Sequence, residues 1–221
     1  FRGFLIIVDF ASFILAVNNL PLGLTLFLFY AASVTANFIY GSFFLHEKIT
    51  NIKILSLMLA FIGLVFIYAG SFSQIKLIPF LFALISGTCF GLNTSTSKSL
   101  TDTYSVIQVN LIGYIVAFFL STILFLITKE QINIFLPLNI WLTLVAFSTV
   151  TVIAFYLTLY GFQKIEAQKG GLIMLAELIF VVVVGIILYK EIPTLNVVIG
   201  GVFIITALAL PNLTFTSNIK T

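Results

Sequence analysis

Apolar residues run along this chain in eight stretches of roughly membrane-spanning length, each closed by a short polar break. A bilayer core about 30 Å thick needs about 20 mostly apolar residues per helix. Backbone groups in that core must find their partners within the helix itself. The pattern therefore predicts eight transmembrane helices: A (3–20), B (22–45), C (52–69), D (78–97), E (106–128), F (140–162), G (170–189) and H (195–213). Between them stand Asn18-Asn19-Leu20-Pro21, His46-Glu47-Lys48, Ser71-Phe72-Ser73-Gln74 and positions 99–105, 129–137, 166–169 and 191–194. These breaks have the composition of turns. They are short, so consecutive helices are expected to be antiparallel neighbours.

Composition excludes the soluble alternative. Of 221 residues, 61% are hydrophobic and 8% charged, and mean hydropathy is +1.24. A soluble domain of this size could not solvate its surface with so few charges. The net charge of +3 comes from basic residues scattered near helix ends, which gives no footprint for nucleic acid. With a cytoplasmic start, Arg2, Lys48, Lys53, Lys98, Lys164, Lys169 and Lys220 fall inside, against Lys76, Lys129 and Lys190 outside. That bias favours a cytoplasmic start and, with eight spans, a cytoplasmic C-terminus; a bacterial inner membrane is the expected location. The single cysteine, Cys89, lies in an apolar span and excludes an intrachain disulfide. Two sequons, Asn93-Thr94-Ser95 and Asn212-Leu213-Thr214, lie within or at the end of spans, where chance explains them better than glycosylation. The chain opens on Phe1, directly in an apolar stretch, and reads as a sequence whose beginning is missing.

An internal echo organises the spans. Gly41, Glu47 and Thr50 recur as Gly185, Glu191 and Thr194 with identical spacing. Each Glu closes an apolar helix, and each Thr is placed to cap the next. Helices A, B and C then match F, G and H, while D and E open the second unit. Residues 1–70 read as the last three helices of a first repeat and 78–214 as a complete five-helix second repeat. Two helices before A would complete five plus five. An odd number per unit sets the copies in opposite orientations, a plan common among secondary transporters.

FFLHEKIT followed by a helix ending GLVFIYAG, GIILYKEIPT followed by NVVIGGVFIITALAL, and FALISGTCFGLNTSTSK resemble segments of the drug/metabolite transporter superfamily, EamA type. The opening RGF resembles the start of that family's third helix. The resemblance implies an all-α, ten-helix inverted repeat working by alternating access, its cavity between the halves and helices C and H more peripheral. Members often carry proline after the acidic or small residue of their fourth and ninth helices. Here Val34 follows Ser33 and Leu178 follows Glu177, so the sequence supplies no reason for a kink at either point.

The polar residues inside spans are the candidate site. Asp9 and Glu177 are intramembrane carboxylates, and each such charge costs at least about 2.5–3.5 kcal/mol near the bilayer centre. Glu177 fits a proton-coupling group or counter-charge facing a cavity, or a protonated carboxyl bonded to a neighbouring helix. Asp9, nearer the surface, fits the same roles or a snorkelling one. At helical spacing, Glu177 shares a face with Gly170, Met174, Val181 and Gly185, and its counterpart Ser33 shares one with Tyr30, Asn37 and Gly41. Glycines 41 and 185 are suited to close helix approach. Asn37 is a pocket or interhelical hydrogen-bonder. Asn93, the deepest of a polar run closing helix D, is a pocket candidate against the alternative of a simple helix end. Asn110 and Tyr114 lie one turn apart on helix E, as do Tyr156 and Tyr160 on helix F. Tyr160 fits an interfacial belt equally well. His46 is a solvated loop residue. One His and one Cys far apart make no metal site, and the paired glycines lack a phosphate-loop context, so neither metal nor cofactor is expected.

The reading is a non-enzymatic secondary transporter of small metabolites, open to proton coupling, with the lipid bilayer and a small-molecule substrate as partners and no nucleic acid. A homodimer stays open, since a dimer face and a lipid face share one composition. A truncated or non-transporting membrane subunit is the alternative. A membrane-embedded enzyme is less favoured, because no paired aspartates or nucleophile–base set stands in the spans.

Overall fold

The computed structural model describes residues 1–71, 76–101, 103–129, 137–190 and 192–213, with no side chains for 71, 212 and 213. Among the described residues the chain is all-helical, with no strand. The helices are α1 (Arg2–Val17), α2 (Leu22–Phe43), α3 (Asn51–Tyr68), α4 (Leu77–Thr101), α5 (Val106–Thr128), α6 (Leu138–Lys164), α7 (Ala167–Met174), α8 (Ala176–Tyr189) and α9 (Leu195–Leu213). Among the described residues, six segments are long and apolar enough to cross a membrane: α2 to α6, and α7 with α8 taken together. The two outermost predicted spans are shorter as such segments. α1 has 16 residues, about 24 Å at ~1.5 Å per residue, and the apolar part of α9 runs Leu195–Pro211.

Two predicted elements and the expected pairing of neighbours differ. Helix D was expected to stop near position 97, but α4 continues to Thr101. Its Thr94, Thr96, Ser97, Ser99 and Thr101 hydroxyls donate to carbonyls three or four residues back, so the polar run is carried inside the helix. Helix G, expected to be continuous, breaks at Leu175. There the amides of Leu175 and Leu178 donate three residues back, to the Leu172 and Leu175 carbonyls, tightening the turn. Along the face traced in the sequence, Gly170 and Gly185 are buried and Met174 half-buried, while Glu177 and Val181, the latter 60% exposed, are not covered. Sequential neighbours, finally, are not the main partners. The most extensive packing joins α2 to α4, α3 to α9 and α1 to α4.

Small residues decide those partnerships. A Cβ on Gly87 would strike the Phe29 carbonyl, and one on Gly91 the Ser33 carbonyl, so the α4 backbone lies directly on α2. Small residues allow this approach where the bilayer supplies no hydrophobic force between helices. The α3–α9 crossing is reciprocal. A Cβ on Gly63 would come within 2.8 Å of the Gly200 carbonyl oxygen, and one on Gly200 within 2.6 Å of that of Gly63. Ser56, Ala60 and Gly63 line the buried face of α3, and Gly200, Ile204 and Ala207 that of α9. Position by position, these triplets are separated by the same offset as Thr50 and Thr194.

The repeat motif has a backbone form as well. His46 (φ 53°) and Lys190 (φ 55°) take the left-handed conformation at equivalent positions, and an exposed His46 ends the turn after α2. Thr50 accepts the Lys53 amide at 3.3 Å, and Thr194 accepts that of Val197 at 3.4 Å, as expected of N-caps. Glu191 lies outside the described residues.

Candidate functional site

The α2–α3 loop carries Glu47 across to the second half of the chain. Its carboxylate accepts the Ala167 amide at 2.6 Å and the Gln168 amide at 3.1 Å, capping the N-terminus of α7. Lys98, at the end of α4, donates to the same carboxylate at 2.8 Å and to the Ile165 carbonyl at 2.7 Å. The Glu47 side chain is 6% exposed. Charge at a helix N-terminus is favoured by the dipole and by the free amides there. Gly41 makes the space: a Cβ there would lie 2.6 Å from the Glu47 carboxylate and 3.1 Å from Gln168 Cγ. Close approach at Gly41 thus serves a carboxylate and a glutamine, and not the backbone of a neighbouring helix. Beside this hub, Lys53 pairs with Glu166 at 3.1 Å and Lys169 with Glu166 at 3.3 Å. Burial pushes the Glu166 carboxyl up, but Lys53 and Lys169 outweigh it and hold the group below its usual range.

Deeper in the bundle, Asn37 is fully buried. Its Oδ1 accepts from Thr94 at 3.1 Å and Ser95 at 2.5 Å, and its Nδ2 donates to the Ser33 carbonyl at 3.0 Å. Asn37 therefore joins α2 to α4, with Gly171 of α7 against it.

Between α1 and α4 stand two polar rungs in antiparallel register. Arg2 Nε donates to Asn93 Oδ1 at 3.0 Å, and Ser86 donates to Asp9 at 2.6 Å. Arg2 also donates to the Val109 carbonyl of α5 at 2.5 Å and is electrostatically coupled to Tyr114. Sequence reasoning placed Arg2 only at a membrane edge. The structure buries it, 7% exposed, within a cluster that holds Asn93, Asn110 and Tyr114. The available signal was a charge one residue before an apolar span, which sequence alone reads as an orientation marker. Asn110, Tyr114 and Tyr156 line a cleft of 320 Å³ between α5 and α6, and the Tyr156 ring stacks on that of Tyr160.

Glu177 lies apart, in the first turn of α8 just past the break. Its side chain is exposed and electrostatically coupled to the buried Tyr30 and Tyr68. The structure thus brings Asn110, Tyr114 and Tyr156 to one cleft, joins Asn93 to Arg2, and leaves Asn37, Asp9 and Glu177 in three separate settings. Among the described residues no cluster of His, Cys, Asp and Glu suits a metal ion.

Apolar helices of bilayer length, packed through small residues around buried polar groups, define an integral membrane protein of the polytopic helical class. Residues 77–213 match the EamA-like transporter family, and the chain belongs to it. The chain is 28% identical, over 173 residues, to an uncharacterized transporter of Clostridium kluyveri, across 75% of this chain and 56% of that protein. It thus spans little more than half of that relative's length. A crystal structure of a protein 16% identical in sequence superposes with a TM-score of 0.78, covering 93% of this chain and 74% of that one, and shares the fold.

Proposed function

We propose that this protein is a secondary transporter of small metabolites that works by alternating access between two inverted five-helix repeats. Residues 1–70 supply the last three helices of the first repeat and 78–214 the second. Both ends face the cytoplasm of a bacterial cell. The reciprocal α3–α9 crossing and the equivalent left-handed residues His46 and Lys190 support the repeat.

The observation that carries the mechanism is the position of the ion pairs between the repeats. Among the described residues, Glu47–Lys98 and Lys53–Glu166 both join the end of α2 and start of α3 to the end of α4 and the α6–α7 turn. Both ion pairs lie at one end of the helices, which suits a state closed there and poised to open at the other. Parting the repeats at this end would break both pairs, so the cluster acts as a two-state latch. Glu177, at the α7–α8 break, is the proposed proton-coupling group.

The test is solute flux by the full-length gene product in proteoliposomes, over a broad metabolite panel with and without a pH gradient. Saturable flux of at least one solute, slowed by cross-linking Glu47 and Lys98 positions as cysteines, is the expected result. No flux across the panel overturns the reading in favour of a non-transporting subunit.

A further inference from the structure

Arg2 is a buried cation facing neutral partners. Its nitrogens donate to an amide oxygen of Asn93 and the Val109 carbonyl. Among the described residues no carboxylate lies within ion-pair distance of it. An isolated buried charge costs several kcal/mol after relaxation, and such intramembrane charges mark substrate or ion pathways. A guanidinium also holds five donors in a fixed fork that matches carboxylate and phosphate oxygens, and the two bonds here leave part of that fork unused.

The guanidinium lines a crevice of 820 Å³ between the start of α1, the end of α2, α4 and α5. Gly113 opens the wall beside it: a Cβ there would lie 3.5 Å from Arg2 Nη1. Hydroxyls of Thr96, Ser99 and Tyr104 share the lining with apolar Leu92, Ile112 and Val116, and no described acidic side chain lines it. A buried cation with part of its donor fork unused, set among hydroxyls and a largely apolar wall, describes one kind of ligand.

We propose that this crevice binds an anion carried on an apolar body, a carboxylate or a phosphate ester, with Arg2 as the recognising group. The inference rests on the transporter reading for its purpose, since it names a substrate class, but its chemistry serves a free solute and an anionic lipid headgroup alike.

Equilibrium binding tests it, without flux, on the full-length protein in phosphatidylcholine nanodiscs. The probes are 4-phenylbutyrate and its neutral amide. The acid is expected to bind at least tenfold more tightly than the amide. Arg2→Gln removes that preference, Arg2→Lys keeps part of it, and Gly113→Leu lowers acid affinity about tenfold with the charge intact. Equal binding of acid and amide by the unaltered protein overturns the proposal, as does an acid preference that survives Arg2→Gln. If Arg2→Gln does not fold, the acid–amide comparison and Gly113→Leu decide. Adding phosphatidylglycerol separates the sources: a tenfold fall in acid binding assigns the site to a lipid headgroup, and an unchanged affinity assigns it to a solute. Acid-selective binding without flux of any solute leaves the site standing and removes the transporter reading. Flux without acid selectivity does the reverse.

Discussion

The Glu47 carboxylate and the Lys98 ammonium meet at 2.8 Å although they stand 51 residues apart in the chain, and the same carboxylate caps α7. One side chain thus joins three elements, and its loss acts on all of them. Hydrogen bonds to charged groups contribute about 1.5–3 kcal/mol each. Glu47→Gln is expected to lower unfolding stability by about 2 kcal/mol, and Lys98→Met by a similar amount. The double variant should fall well short of the sum. Denaturant titration in detergent micelles measures this, and strict additivity would show that the pair is not coupled.

Glu166 sets a pH dependence. Lys53 and Lys169 hold its folded-state pKa below the ordinary 4.5. A depressed carboxyl contributes stability that is fully present above the unfolded value and is lost as pH falls through the folded one. Thermal midpoints should therefore be flat in this respect above about pH 5 and decline below 4.5. Glu166→Gln should remove that part of the decline. A variant whose acid profile matches the parent would show that the pairing does not reach stability.

Two glycine positions on α9 make opposite forecasts. Gly200→Val drives a side chain into the Gly63 carbonyl and should destabilise by about 1–3 kcal/mol, the usual result of overpacking. Gly201→Ala meets nothing within 4 Å and should be neutral or stabilising by up to about 1 kcal/mol, from helix propensity alone. Melting curves of the two variants decide whether the α3–α9 crossing is as close in solution.

Glu177→Gln keeps the shape of the side chain and removes its titration. Transport driven by a pH gradient is expected to be lost while the melting temperature stays within about 2 °C, since exposed sites seldom shift stability by more than ~0.5 kcal/mol. Normal pH-driven flux in the variant would assign coupling elsewhere, with Asp9 the next group to test.

Much of the architecture could be read from residue order. Hydropathy is a property of each segment by itself, so the helical spans and the membrane class follow from a run of side chains without knowledge of their neighbours. The echo of Gly41, Glu47 and Thr50 in Gly185, Glu191 and Thr194 was visible for the same reason. The role of Glu47 was not. A helix-closing glutamate and a glutamate capping a helix 120 residues onward have the same local sequence.

What the sequence by itself determined is therefore the solvent each segment tolerates and roughly where the helical spans lie, because these follow from transfer free energies and local capping. Only the tertiary structure decided which polar groups meet: Arg2 with Asn93, Asn37 with Thr94 and Ser95, Glu47 with Lys98 and α7. It also decided that helix G breaks at Leu175 without a proline. Pairing inside a bilayer depends on how closely two backbones approach and at what rotation. Those quantities are set jointly by small residues on two helices, such as Gly63 and Gly200, and belong to neither helix alone.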